Sequence, residues 1–184
     1  MSSKTNVWAV IIAHCRTLRH HGEGYVSPID IAVFLVCPLL LAVLIFYSRI
    51  SLTSALVSAL INASAILLGL LLNLLILMFD QRSKAGDLID KLNLLKPPPE
   101  KRLEKLSIRC EVIDQSVANI SFTILLCIGS LVSLLLFSIR PDSSDVDVLE
   151  SIVYALNAFI WSNVSLTILM IIKRVYALFE GSRY

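Results

Sequence analysis

The histidines and cysteines near the amino terminus are the residues best suited to bind a metal. His14, Cys15, His20 and His21 form the one cluster of this kind in the chain. Zinc takes imidazole nitrogen and thiolate sulfur in a tetrahedral arrangement, which needs two separated ligand pairs. Neighbouring His and Cys on one short helix do not supply that geometry, and no second pair follows. We therefore expect the polar end of an interfacial helix here, with no metal and no cofactor.

Four acidic residues late in the chain could supply oxygen ligands for calcium. They are Asp142, Asp145, Asp147 and Glu150. A calcium loop needs an ordered series of ligands and a glycine for its sharp turn, and this spacing provides neither. Anionic side chains are also favourable at the start of a helix because of the helix dipole. The cluster therefore favours an acidic turn that leads into a helix.

Sequence motifs for catalysis are missing. The chain has no GxSxG, no HExxH and no glycine loop for phosphate, and no apolar run contains a pair of carboxylates. All three histidines lie in the amino-terminal segment. The sequence therefore predicts a protein that is not an enzyme.

The elements that carry these residues are strongly apolar. Of the 184 residues, 57% are hydrophobic and the mean hydropathy is +0.80, whereas soluble domains have roughly 45–50% apolar residues. A helix that crosses a bilayer needs about 20 consecutive, mostly apolar residues. Four runs qualify, at residues 31–48, 53–79, 117–139 and 151–172. We predict an all-α membrane protein with four transmembrane helices in contact with membrane lipid.

The basic residues indicate the topology. Lys and Arg accumulate on the cytoplasmic side of membrane helices. All 16 Lys and Arg residues except Arg49 and Arg140 fall in the amino terminus, between the second and third spans, or in the carboxyl terminus. Both termini and the central segment are therefore predicted to be cytoplasmic.

This topology divides the chain into five parts. They are an amino-terminal segment at residues 1–28, a transmembrane hairpin at 29–79, a cytoplasmic helical arm at 80–116, a second transmembrane hairpin at 117–172 and a cytoplasmic tail at 173–184.

A helix is predicted over residues 5–20, either at the membrane interface with Trp8 as its anchor or packed on the cytoplasmic arm. Pro38, in the middle of the first span, predicts a kink.

The second span carries a stripe of small and polar residues at three- and four-residue steps. Because lipid tails are as apolar as leucine, such residues mark contacts between helices. The stripe also includes Ser54 and Ala65, and weaker stripes follow the third span from Asn119 to Ser130 and the fourth from Asn157 to Ser165. The candidates for helix packing, or for a pore lining built by several copies, are Ser58, Asn62, Gly69 and Asn73.

The arm is the one long polar stretch between apolar runs. Residues 80–115 contain eight Lys or Arg and seven Asp or Glu. Apolar residues at helical spacing on both sides of Pro97–Pro99 predict two helices that continue the second and third spans and fold back at the prolines. The nearly balanced charge suits a protein partner better than phosphate, so we expect no direct nucleic-acid binding.

Seven basic residues of the arm are candidates for partner binding. The same charges could instead serve only to fix the topology, since they lie between two spans. The candidates are Arg82, Lys84, Lys91, Lys101, Arg102, Lys105 and Arg109.

The layout of the whole chain resembles a group of small bacterial membrane proteins. Its features are a short amino-terminal helix, a first span with Pro38, the sequence GLLLNLLILMFDQRSK at residues 69–84 that enters the arm, and two closing spans. In this architecture it is similar to membrane components of anti-phage defence systems, and most closely to the membrane subunit of the Kiwa system. The resemblance implies a homo-oligomeric, multi-pass sensor of the bacterial inner membrane that holds a soluble DNA-binding effector on its cytoplasmic side.

Two functional hypotheses follow. The first is a membrane scaffold or sensor that docks a soluble cytoplasmic effector through the arm. The second is a pore-forming effector that permeabilises the membrane on activation, which the polar stripe of the second span suggests. A transporter subunit is disfavoured because no charged residue lies deep in any predicted span.

Overall fold

The computed structural model describes residues 7–17, 32–48, 53–95, 99–139 and 147–180, and within these ranges the protein is helical and contains no strand. The prediction of an all-α protein is confirmed for this part of the chain. The helices are α1 (Val7–Thr17), α2 (Cys37–Ser48, after a π-helical turn at Ala32–Val36), α3 (Ser54–Asn93), α4 (Glu100–Ser138) and α5 (Asp147–Glu180).

Three of these helices are long and apolar enough to cross a bilayer. They are α3 with 40 residues, α4 with 39 residues, and the segment Val148–Tyr176 of α5. The apolar helix at Ala32–Ser48 is shorter, and at 1.5 Å per residue it reaches about 25 Å, against a hydrocarbon core of about 30 Å. Three apolar helices therefore support a membrane-embedded protein, and a fourth span stays a prediction.

Pro38 explains the change of helix type before α2. Proline has no amide hydrogen, and its ring clashes with the carbonyl four residues earlier when the helix is regular. The turn that contains that carbonyl, Ala32–Val36, is π-helical, which widens the helix at this point. Pro38 itself is buried.

Helix α3 continues without a break from the apolar run into the arm. It begins at the N-cap Thr53, whose Oγ1 accepts a hydrogen bond from the amide of Leu56 at 3.3 Å. It continues through Gly86 and ends at Asn93. The continuity predicted between the second span and the arm is confirmed.

Helix α4 mirrors this arrangement in the opposite direction. It begins after Pro99, whose carbonyl accepts hydrogen bonds from the amides of Arg102 and Leu103 at 3.0 and 3.1 Å. It then runs from the arm into the third apolar run without interruption. Of the predicted fold-back at Pro97–Pro99, residues 97 and 98 lie outside the described part of the chain.

A seven-residue repeat forms the core between the long helices. Buried residues recur at this interval on each helix, which is the spacing of helices that wrap around one another in a left-handed sense. On α3 they are Val57, Ser64, Leu71, Met78 and Ala85; on α4 they are Ile113, Ile120, Cys127 and Leu134; on α5 they are Asn157, Val164 and Ile171. We call the α3–α4 part of this core the seam.

Helix α4 is the central element of the fold. It packs against α1, α3 and α5, while α2 packs against α5. Small polar residues are buried within these helices: Ser116 and Thr123 on α4, and Thr167 on α5, bond the carbonyl four residues earlier in their own helices. Such residues let two helices approach closely in lipid. The stripe predicted on the third span is therefore confirmed as a packing face.

Removal of core volume should test the seam. We expect Ile120→Ala, at a site with no exposed surface, to lower the free energy of unfolding by about 2–4 kcal/mol, because the lost side chain leaves a cavity between packed helices. Ile76→Ala is the matched control, since Ile76 on α3 is 67% exposed, and it should cost less than about 1 kcal/mol. Titration of the full chain with SDS in mixed micelles measures both values. Equal losses would contradict the core assignment.

Candidate functional site

The arm is tied together by side chains close to the apolar segments. Arg82 Nε lies 2.8 Å from Asp114 Oδ1, and a terminal nitrogen of Arg82 lies 3.5 Å from the Sγ of Cys110. A terminal nitrogen of Arg109 donates to Gln81 Oε1 at 3.3 Å. Two of the seven predicted partner-binding residues, Arg82 and Arg109, therefore bond from one arm helix to the other. We call residues 80–85 and 109–115 the proximal arm.

Apolar packing supports these polar contacts. Ala85, Cys110 and Ile113 are buried in the proximal arm, so the seven-residue repeat continues past the apolar run of α3. The Arg82–Asp114 ion pair is itself partly exposed, and pairs of this kind contribute about 0–1 kcal/mol. Apolar packing therefore contributes more than the ion pair to holding α3 and α4 side by side in the proximal arm.

The other five predicted partner-binding residues point to solvent. Lys84 pairs with Asp80 of its own helix at 2.6 Å and is exposed. The side chains of the other four are exposed and, in the part of the chain that the structure describes, bond no other residue: Lys91, Lys101, Arg102 and Lys105. All four lie in what we call the distal arm, at residues 86–95 and 99–108.

The distal arm also exposes large apolar side chains. Leu88, Leu95 and Ile108 are about half exposed, and Leu94 is 81% exposed. The apolar residues at helical spacing in the arm are thus only partly covered within one chain. An apolar patch with charged residues around it is typical of a surface that contacts another protein.

The polar stripe of the second span lies on the outer surface of α3. Ser58, Asn62, Gly69 and Asn73 are all exposed, and the buried positions Leu71 and Met78 lie on the opposite face of the same helix. The stripe therefore takes no part in packing within one chain. Packing between copies, or a pore lining, stays a prediction.

His14 forms a junction that sequence reasoning did not find. It is only 5% exposed, it stacks on Phe122 with ring centroids 3.9 Å apart, and its Nδ1 lies 2.9 Å from Asn119 Oδ1. Thr17 Oγ1 lies 2.8 Å from the same Asn119 oxygen, and Arg174 donates to the Thr17 carbonyl at 3.0 Å. These contacts fasten α1 to α4 and α5, over 100 residues away in sequence.

The junction does not resemble a metal site. His14 uses its ring for stacking and for the Asn119 bond, Cys15 is exposed, and His20 and His21 lie outside the described residues. Within the ranges that the structure describes, no group of three metal-ligating side chains forms. Helix α1 packs against α4, and Trp8 is 72% exposed, as an anchor at the membrane interface would be.

Charge and burial keep the junction sensitive to pH. Burial lowers the pKa of His14 below its ordinary 6.5, the hydrogen bond to Asn119 raises it, and the nearby Arg174 charge lowers it further. Asn119 Nδ2 and one terminal nitrogen of Arg174 are buried and have no acceptor in the described chain. A polar network with open donors holds less firmly than one that is fully bonded.

A second polar cluster, between α4 and α5, is well bonded. Ser130 donates to Asn157 Oδ1 at 2.7 Å, Asn157 Nδ2 donates to Ser133 at 3.1 Å, and Trp161 donates to Ser130 at 3.2 Å. Bonds of this kind hold helices together in lipid. Tyr154, Asn157 and Trp161 also line a cleft of about 510 Å³, together with Pro38. The cluster serves packing, since its polar atoms are occupied by one another.

No protein-family model, curated protein or solved structure matches this chain. The resemblance to the membrane subunit of the Kiwa system therefore rests on the layout of the sequence and stays a prediction. Three features remain as candidates for function: the distal arm, the outer face of α3 and the junction at His14.

Acid should loosen the α1 junction. Because the folded pKa of His14 is lowered, the unfolded chain binds the proton more readily, and stability falls as pH drops through 6.5 towards the folded pKa. We expect the unfolding temperature of the full chain in lipid nanodiscs to fall between pH 7.5 and 5.5, and His14→Gln to reduce that fall. The part of the pH dependence that the wild-type and His14→Gln proteins share comes from other titratable groups. An identical pH dependence in the two would contradict this role for His14.

Proposed function

We propose that this protein is a homo-oligomeric scaffold or sensor in the inner membrane of a bacterium, where it belongs to an anti-phage defence system and docks a soluble cytoplasmic effector through its arm. In this proposal the chain crosses the membrane four times, both termini and the arm are cytoplasmic, and the protein is not an enzyme. The observation that carries the proposal is the arm itself. It extends two apolar helices without a break and exposes its distal surface.

The proximal arm supports a mechanical role. Ala85, Cys110 and Ile113 are buried there, and Arg82 and Arg109 bond across the two helices. Side chains packed at this density do not deform gradually, so a shift of α3 against α4 is transmitted along both helices. A disturbance of the membrane segments would reach the arm by this route.

The distal arm supports a docking role. It combines four exposed cations with exposed leucines and an isoleucine, and exposed Asp87, Asp90 and Glu104 lie among them. Protein interfaces join an apolar centre to a polar rim in this way. Phosphate of a nucleic acid would be repelled by the interspersed carboxylates, so a protein is the better partner.

The junction at His14 supports a sensing role. It holds α1 with open donors and with a buried titratable ring, so in this proposal a change in the surroundings of α1 displaces it. Since α1 contacts α4, its release would alter the environment of a helix that continues into the arm.

The outer face of α3 gives specific support to a second candidate function. In an assembly of several copies, exposed Ser58, Asn62 and Asn73 could surround a polar channel. The protein would then be a pore-forming effector that permeabilises the membrane on activation. Ion conductance of the reconstituted protein in planar bilayers is the signature of this alternative.

Charge reversal on the distal arm should abolish docking. The partner used is the soluble product of the gene next to this one, and retention on the solubilised full-length protein is measured. We expect Lys101→Glu, Arg102→Glu and Lys105→Glu together to reduce retention at least about tenfold, because all three side chains are exposed and are not engaged within the described chain.

The matched control reverses an exposed cation elsewhere on the predicted cytoplasmic side. Lys173→Glu on α5 should leave retention unchanged. Retention that survives both the triple reversal and replacement of residues 84–109 by a flexible linker would overturn the docking proposal.

A further inference from the structure

The outer face of α3 presents polar groups where the chain is most apolar. Residues 53–79 contain no charge, and this run crosses the membrane in the proposed topology. Asn62 and Asn73 lie within it and are exposed. Neither amide bonds another residue in the part of the chain that the structure describes. An amide that faces lipid lacks water to bond, and this costs several kcal/mol in hydrocarbon for each group.

Of the three long helices, α3 is also the one that a single chain covers least. In its most apolar window 11% of the residues are buried, against 28% for α4 and 33% for α5. It packs on α4 alone among the described helices. A single protomer therefore leaves the face with Asn62 and Asn73 open to whatever surrounds it.

Gly69, on the same face, gives a separate indication. A Cβ atom added there would meet nothing within 4 Å, so no neighbour in this chain requires a glycine. Glycine is nonetheless a poor helix former in the middle of a helix. Together with Ala65 it makes a pair of small residues four apart, the spacing that lets two membrane helices bring their backbones together.

We propose that this face of α3 binds the same face of α3 in a second copy of the protein. All copies have one orientation in the membrane, so a contact about a twofold axis normal to the membrane places equivalent residues at the same depth. An asparagine amide both donates and accepts, so Asn62 can bond Asn62 and Asn73 can bond Asn73 of the second copy. The small residues between them allow the close approach that these bonds need.

This inference rests on the homo-oligomer in the proposed function and specifies the surface that forms it. It differs from the pore hypothesis, since the polar face is closed by a helix and is not open to water. It is independent of the distal arm, so loss of self-association and loss of partner docking can be measured separately in the same samples.

The chain offers a matched pair of variants. Gly69 on α3 and Gly129 on α4 are both exposed, mid-helix, and open to an added side chain in the single protomer. Self-association of the full-length protein is measured by energy transfer between copies labelled at the carboxyl terminus, across a series of protein-to-lipid ratios. We expect Gly69→Leu to raise the dissociation constant at least about tenfold and Gly129→Leu to leave it unchanged.

A second variant removes the amides without adding bulk against the backbone. Asn62→Leu with Asn73→Leu should raise the dissociation constant about fivefold to tenfold, which corresponds to the loss of two modest interhelical bonds. Helix content by circular dichroism verifies that each variant is folded. A wild-type protein that is monomeric at every ratio, or a Gly69→Leu protein that associates like the wild type, overturns the proposal. If these variants associate like the wild type but change the ion conductance of the bilayer, that result also overturns the proposal and favours a pore.

Discussion

The seam between α3 and α4 is the interaction on which the rest of the structure depends. Its buried residues repeat every seven positions, from Val57 to Ala85 on one helix and from Ile113 to Leu134 on the other. The repeat does not stop where the apolar run of α3 ends, since its members Ala85 and Ile113 are buried inside the arm. One continuous packing surface therefore joins the membrane segments to the polar arm.

Two weaker attachments depend on this seam. Side chains of the distal arm are less buried than those of the proximal arm, and its leucines and cations are exposed. The position of the distal arm is therefore set by the packed parts of α3 and α4 from which it extends. Helix α1 is held on α4 through His14 and Asn119, with open donors beside them. The centre is thus more firmly packed than the two attachments, which is the arrangement that the proposed scaffold with a sensing role would need.

Sequence patterns predicted the long helices better than their contacts. The absence of proline before Pro97 and the apolar residues at helical spacing were enough to predict that α3 enters the arm, because proline marks a helix end clearly. The buried face of α3 was not predictable in the same way. A helix that is apolar on all sides shows no contrast between core and lipid, so the stripe at Asn62 and Asn73 was the visible signal although Leu71 and Met78 form the core. The His14–Asn119 bond spans 105 residues and leaves no local pattern.

Hydrogen–deuterium exchange of the full-length protein in lipid nanodiscs tests the continuity of the seam most directly. The amides of residues 80–93 and 102–116 report whether α3 and α4 stay helical and paired beyond the apolar runs. A continuous seam predicts that the proximal arm, at residues 80–85 and 109–115, exchanges orders of magnitude more slowly than an unstructured peptide, with protection that declines towards the distal arm. Complete exchange of residues 80–85 within seconds would mean that the helices separate at the membrane surface, and would contradict the account.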